Sequence, residues 1–331
     1  MREWRWLMRG AGVRSMRHCL ARTSLPKGDA PSARFTRRLR AALWAMCAIA
    51  ISAPAAATVS ATDDSGTVVT LPAPARRIVA LAPHLTEQLF AIGAGARIVG
   101  TTDYADYPPA ANAIPRVARA HSVDLERIAA LKPDLVVVWG SGFPPATLQA
   151  LRRLGVPLYV NEPGALETVA SSLERLGTLT GSDGRAAARA FRERIDALRS
   201  RYVGRSEVRV FYQVWQQPLM TLSGRHVLSE AIRLCGGRNV FESIGAGAPI
   251  APQVAIESVV AADPQLIATA QADARPTESL TMWKRFPALS AVRLNQFAVL
   301  DANKLNRHSP RMAEEIGVLC ERIDAARAAL R

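Results

Sequence analysis

One segment of this chain occurs twice, and the repetition constrains the fold more than any other feature. Residues 123–138 read VDLERIAALKPDLVVV, and residues 254–269 read VAIESVVAADPQLIAT. Glu126 aligns with Glu257, Pro133 with Pro264, and Leu135 with Leu266. In each copy a helix is expected to open near the glutamate and to stop before the proline, which cannot continue it. The chain then enters a continuous apolar run, the pattern of a strand buried on both faces of a parallel sheet. Two such units in 331 residues imply two similar α/β halves.

The rest of the body fits this plan. In the first half RIVALA (77–82), 97–101, 135–139 and 157–160 read as short strands, with a helix from Thr86 to Ile92 that stops at Gly93. In the second half VRVFYQV, LIATA and FAVLD read as strands, and LSEAIRLCGG reads as a helix with a glycine stop. Between the halves Phe191, Ile195, Leu198 and Tyr202 form one helical stripe on an arginine-rich segment. Ser182 or Asp183 is the expected N-cap. A helix of about 20 residues spans roughly 30 Å, enough to bridge two lobes side by side. The expected divisions are a leader at 1–57, an extended segment at 58–75, an N-terminal lobe at 76–181, the connecting helix at 182–204 and a C-terminal lobe at 205–331.

The formal charge of +14 is concentrated in the leader. Residues 1–57 hold 11 basic and 2 acidic side chains. There RFTRRLR precedes an apolar run from Ala41 to about Ala53 and then PAAA, the order of a secretory signal. Cleavage is expected after Ala57, with Ala61 as second choice, and the mature chain is expected in the periplasm. The apolar run is too short for a membrane anchor. The body shows no basic stripe with interleaved aromatics, so no nucleic-acid partner is expected. Beyond the leader two cysteines remain, Cys235 and Cys320. In an exported chain they suggest one disulfide, the alternative being two separate buried thiols.

Catalytic signatures are absent: no phosphate-binding P-loop, no H-E-x-x-H and no nucleophile elbow occurs. Beyond the leader the histidines are His84, His121, His226 and His308, spaced without a metal-ligand pattern. No metal site and no resident cofactor are expected. An exported, bilobed chain without these signatures points to binding. In open α/β sheets ligands sit beyond the carboxyl ends of the strands. Those ends carry His84, Tyr104 and Trp139 in the first half, and Trp215 and Asn303 through His308 in the second. Two such edges facing each other form a cleft with aromatics, the Arg307 guanidinium and amides, suited to a large, flat, partly polar ligand.

The stretches RIVALAPHLTEQLFAIG, YADYPP, LERIAALKPDLVVVW, RVFYQV, LCGGRNVF, PQVAIESV and NRHSPRMAEEIGVLC occur in order over about residues 76–327. Together they resemble the periplasmic cobalamin-binding proteins of the BtuF type, within the class III solute-binding proteins of ABC importers. The resemblance implies two Rossmann-like lobes joined by a single long helix, with a corrinoid held between them as cargo. It implies that Tyr104 and Trp139 face the ligand and that Arg307 contacts it. Cys235 and Cys320 fall on the cysteines of the family's second-lobe disulfide. Glu126 and Glu257 fall on the two glutamates, one per lobe, that dock onto arginines of a permease dimer in the inner membrane. A monomer is expected.

The chain departs from the family at several aromatic positions. Two tryptophans of the family are replaced near Ala120 and at Ala251, and an acidic ligand contact is Asn303. Trp215 and His84 are the compensating candidates. Cobalamin is the expected ligand, with heme or a ferric siderophore as the alternative on the same fold. A metal-ion binder would need His84, His121 and His308 to converge. An exported enzyme would need a nucleophile beside a base in the cleft.

Overall fold

The computed structural model describes residues 57–331 apart from 120–121, 245–246, 248 and 273–277. The leader, the position near Ala120 and His121 lie outside the described residues. The body begins with a hairpin, β1 (Val59–Thr62) against β2 (Val68–Leu71), where an extended segment is expected. Asp63 at its turn accepts from the backbone N–H groups of Ser65, Thr67 and Val160. Asp64 pairs with Arg175 at 2.6 Å. The hairpin is thus tied to the lobe behind it.

The first sheet contains β3 (Ile78–Leu81), β4 (Ile98–Thr102), β5 (Arg116–Arg119), β6 (Ser122–Val123), β7 (Leu135–Trp139) and β8 (Leu158–Asn161). Their spatial order is β6-β5-β4-β3-β7-β8, and only β5 and β6 pair antiparallel. The central strands β3 and β7 are buried almost throughout, as their unbroken apolar runs require. The covering helices are α1 (Pro83–Ala91), α2 (Leu125–Ala130), α3 (Pro145–Arg153) and α4 (Leu166–Thr180). Helix α1 opens earlier than Thr86 because Pro83 occupies its first turn, where a missing N–H costs nothing.

Helix α5 (Gly184–Tyr202) crosses to the second lobe. The Asp183 side chain caps it by accepting from Ala186 N–H at 3.1 Å. Phe191, Ile195 and Tyr202 of its stripe are buried, and Leu198 packs partly buried against the same core. Glycine is required where α4 meets α5: a methyl at Gly184 would collide with the Leu173 carbonyl, and one at Gly177 would sit 2.7 Å from Gly184 Cα. The second lobe holds β9 (Val208–Gln213), β10 (Gly237–Asn239), β11 (Leu266–Gln271) and β12 (Phe297–Asp301). They run parallel in the order β10-β9-β11-β12. Its main helices are α6 (Val227–Leu234), α7 (Ile256–Ala262) and α8 (Met312–Ala329).

The repeated segments fold alike. Helix α2 feeds β7, and helix α7 feeds β11. Lys132 and Asp263, each the residue before the aligned proline, both take positive φ, 46° and 40°. A residue before proline is disfavoured in the right-handed helical region, and here each helix ends by turning left-handed. Asp263 is held in that conformation by Ser290, whose N–H and hydroxyl both donate to it at 2.8 Å, and by Arg209 at 2.8 Å.

One apolar core runs through the body, from Leu85, Leu89 and Tyr159 in the first lobe, past Phe191 and Ile195, to Val208, Leu300 and Ile316 in the second. Cys235, at the end of α6, is disulfide-bonded to Cys320 of α8. Both are fully buried, with Cα atoms 4.6 Å apart and a sequence separation of 85.

Candidate functional site

The carboxyl ends of the parallel strands converge on the region between the lobes. His84 follows β3, Trp139 ends β7, and His308 follows β12. The three rings meet edge to face: His84 to Trp139 at 5.7 Å, His84 to His308 at 5.7 Å, and Trp139 to His308 at 6.4 Å between centroids. Aromatic pairs favour this geometry over a face-to-face sandwich. The structure therefore brings His84 and Trp139 together with a histidine from the opposite lobe.

Each ring of the first lobe is positioned by a polar neighbour. Asn161 donates through Nδ2 to Asp64 and Ser172, which leaves its Oδ1 to accept from His84 Nε2–H at 2.9 Å. Glu162 accepts from Trp139 Nε1–H at 3.3 Å and from the N–H and hydroxyl of Ser141 at 2.6 and 2.9 Å. Burial holds the histidines neutral at physiological pH: His84 is lowered to about 4, with Arg307 nearby adding to the effect. His308 is lowered to about 3 by burial and by its histidine neighbours. His226, also lowered to about 4 by burial, caps α6 by accepting from Leu228 N–H at 3.0 Å.

Arg307 occupies a buried ion cluster across the lobes. Its Nη1 donates to Glu87 at 3.0 Å and to Asp106 at 2.6 Å, and its Nη2 donates to Asn303 Oδ1 at 3.1 Å. Glu87 also accepts from Arg311 at 3.1 Å and from the Ser309 hydroxyl at 2.6 Å. Gln88 donates to the His308 carbonyl at 2.6 Å. Tyr107, in the YADYPP turn, lies against the Arg311 guanidinium, 3.7 Å from ring centroid to carbon. Partial burial opposes ionisation of Asp106, yet Arg307 holds its carboxyl below the usual range. Arg307 and Asn303 are thus engaged with each other, and Arg307 with the opposite lobe.

Two cavities lie side by side here. The inner one, about 160 Å³, has Trp139, Tyr212, His226 and His308 in its wall. The outer one, about 400 Å³, lies beyond the ends of β9 and β11 and includes Trp215 and Gln271. Gln213, Val214 and Ala270 border both. Two aromatics stand out from the surface, Tyr104 at 76% exposure on the first lobe and Trp215 at 62% on the second. Tyr104 has φ 62°, and the Trp215 indole N–H donates to the Gln217 carbonyl at 2.9 Å. The sequence places His308 on the cleft edge and gives it a ligand role only in the metal-binder alternative; it assigns none to Tyr212 or His226. Tyr212 carries a weak signal, a hydroxyl directly after the apolar pair Val210-Phe211 of a buried strand.

Glu126 and Glu257 lie in the first turns of α2 and α7, and both are exposed. Among the described residues no three His, Cys, Asp or Glu side chains group as a metal site. No described helix is long and apolar enough to cross a membrane.

Two facing parallel-sheet lobes, a connecting helix and an aromatic cleft define a solute-binding receptor. The chain belongs to the periplasmic binding protein family, whose sequence profile matches residues 78–303. It is 38% identical over 252 residues to the vitamin B12-binding protein of Vibrio cholerae serotype O1, covering 75% of this chain and 89% of that one. The crystal structure of the periplasmic vitamin B12 binding protein BtuF of Vibrio cholerae aligns with a TM-score of 0.67 and 37% identity, over 76% of this chain and 98% of the other. A periplasmic heme-binding protein, RhuT from Roseiflexus, shares the fold at 24% identity and a TM-score of 0.65, over 76% of this chain and 99% of that one.

Proposed function

We propose that this chain captures vitamin B12 between its lobes and delivers it to an ABC permease in the inner membrane. The observation that carries this reading is the 38% identity to the Vibrio cholerae vitamin B12-binding protein over 89% of that protein's length. A corrinoid is larger than either cavity and lies across both, against Trp139 and His84 on one side and Trp215 on the other. Tyr104 closes over its edge. Arg307 and Asn303 offer hydrogen bonds to its periphery. Cleavage near Ala57 frees the mature receptor into the periplasm.

Glu126 and Glu257 meet the permease. They hold equivalent places in the two repeated units, so a two-fold symmetric partner can offer each the same basic pocket. Opposed charges at both points steer and orient docking.

The reading is tested by incubating purified protein separately with cyanocobalamin, hemin and a ferric siderophore, desalting, and recording absorption spectra. Retained corrinoid bands are expected. Retention of heme or siderophore without corrinoid would overturn it.

A further inference from the structure

The two cavities between the lobes have an uncharged lining. Among the described residues that border them there is no Asp, Glu, Lys or Arg, and burial keeps His226 and His308 neutral. The buried cation of this wall is Arg307, which stands in the chain between two residues of the inner cavity, Asn306 and His308. Its charge is cancelled by a closed set of four side chains. Arg307 and Arg311 bring two positive charges, and Glu87 and Asp106 bring two negative ones. Glu87 is shared between both arginines, at 3.0 and 3.1 Å, so the charge that balances the second guanidinium is that of Asp106, 2.6 Å from Arg307. Asn303, the remaining partner of Arg307, is an amide and adds no charge. Glu87 is buried, whereas the Asp106 side chain is 54% exposed and belongs to the YADYPP turn, two residues after Tyr104.

We infer that Asp106 is a specificity-determining residue: by cancelling the last positive charge beside the cleft, it makes the receptor favour a ligand fringed with uncharged amides over one that carries carboxylates. The inference rests on the corrinoid reading above. An unpaired guanidinium at this place would draw in a carboxylate through charge-assisted hydrogen bonds. With Asp106 beside it, the same guanidinium adds no net charge. A carboxylate that enters then loses its water and gains no free cation in return, whereas an amide needs only hydrogen bonds. Discrimination of this kind works by withholding an attraction from the wrong ligand. The corrin ring of vitamin B12 is fringed with acetamide and propionamide arms, whereas heme ends in propionates.

The test is calorimetric titration, near pH 7.5, of wild-type protein, Asp106→Asn and Asp106→Glu, with cyanocobalamin and with each isomeric monocarboxylate in which one ring amide is hydrolysed. With wild-type protein at least one isomer is expected to bind about tenfold or more weakly than cyanocobalamin. In Asp106→Asn that ratio should shift toward the acid by about tenfold, and the shift should shrink as salt is added. Asp106→Glu keeps the charge and should keep the wild-type ratio. Equal binding of cyanocobalamin and every isomer by wild-type protein would overturn the inference whether or not the variants fold. An equal loss of affinity for both ligands in Asp106→Asn would assign Asp106 to the fold alone and refute it, and so would a ratio in Asp106→Glu that matches Asp106→Asn. Failure of wild-type protein to bind cyanocobalamin at all would instead overturn the corrinoid reading, and the selectivity with it.

Discussion

Glu87 on α1 and Arg307 beyond β12 meet across the two lobes at 3.0 Å, their side chains 2% and 10% exposed. Arg311 reaches the same carboxylate oxygen, so one buried acid from the first lobe holds two guanidinium groups of the second. Such a cluster is stable only while every member stays paired, because an isolated charge in that setting is strongly destabilising.

Glu87→Ala is therefore expected to destabilise the chain by about 3 kcal/mol, the low end for breaking a buried pair, since Asp106 keeps part of the Arg307 charge compensated. Urea unfolding followed by circular dichroism measures this. A loss below about 1 kcal/mol would show that the arginines find water instead.

Acid should weaken the fold well above the carboxylate range. His84, His226 and His308 have folded-state values lowered to about 4, 4 and 3, against 6.5 in the unfolded chain. As pH falls below 6.5 the unfolded state binds protons that the folded state refuses. The stability these groups provide is complete above that pH and is lost progressively toward their folded values. Each contributes a slope of up to about 1.4 kcal/mol per pH unit inside that window. Melting temperatures measured from pH 7.5 to 5.0 should fall steadily, and a flat profile would mean that these rings titrate in water.

Trp139→Ala removes an indole held by Glu162 against both histidines. Loss of that buried surface should weaken cyanocobalamin binding by about 1–3 kcal/mol, or tenfold and more. Calorimetric titration showing unchanged affinity would remove Trp139 from the site.

Reduction of the Cys235–Cys320 bond, or its replacement by Cys235→Ser with Cys320→Ser, should cost stability. A loop of 85 residues gives roughly 4–5 kcal/mol at most by the chain-entropy account. Denaturant midpoints of oxidised and reduced protein check this. A thiol assay of unreduced mature protein should find neither cysteine reactive.

Reversing both exposed acids, Glu126→Lys with Glu257→Lys, should leave ligand affinity within about twofold. Uptake in cells carrying the cognate permease should be abolished, because like charges would then meet at both docking points. The wild-type partnership should weaken with salt, which screens exposed charges over about 10 Å at 0.1 M. Normal uptake by the double variant would refute docking through these residues.

Much of the scaffold was legible because it rests on local signals. The prolines at 133 and 264 ended two helices and announced two buried strands, and the 4-3-4 stripe from Phe191 to Tyr202 defined the connecting helix nearly to the residue. Helix α4 carries a comparable stripe, Leu166, Val169, Leu173 and Leu176, without a start signal ahead of it. It begins at Ala165 without a side-chain cap, behind a Pro-Gly turn that reads as loop. Strand β10 is only three residues long and begins on the second glycine of a pair that reads as a stop. The site was legible in part. Strand ends pointed to His84 and Trp139, but the first-lobe partners of Arg307 lie 220 and 201 residues away, and no periodicity reports a pair at that distance. His226 and His308 are polar in sequence, and only the packing of the folded chain desolvates their rings and keeps them neutral.

The apolar core that runs without interruption through α5 bears on how far the two lobes can move apart. Opening the cleft would expose that core and part the Glu87–Arg307 pair in the same motion, so the lobes resist separation whether or not cargo is present. Any separation of the lobes is therefore expected to be small, limited by the stiffness of one shared core and not by a flexible linker.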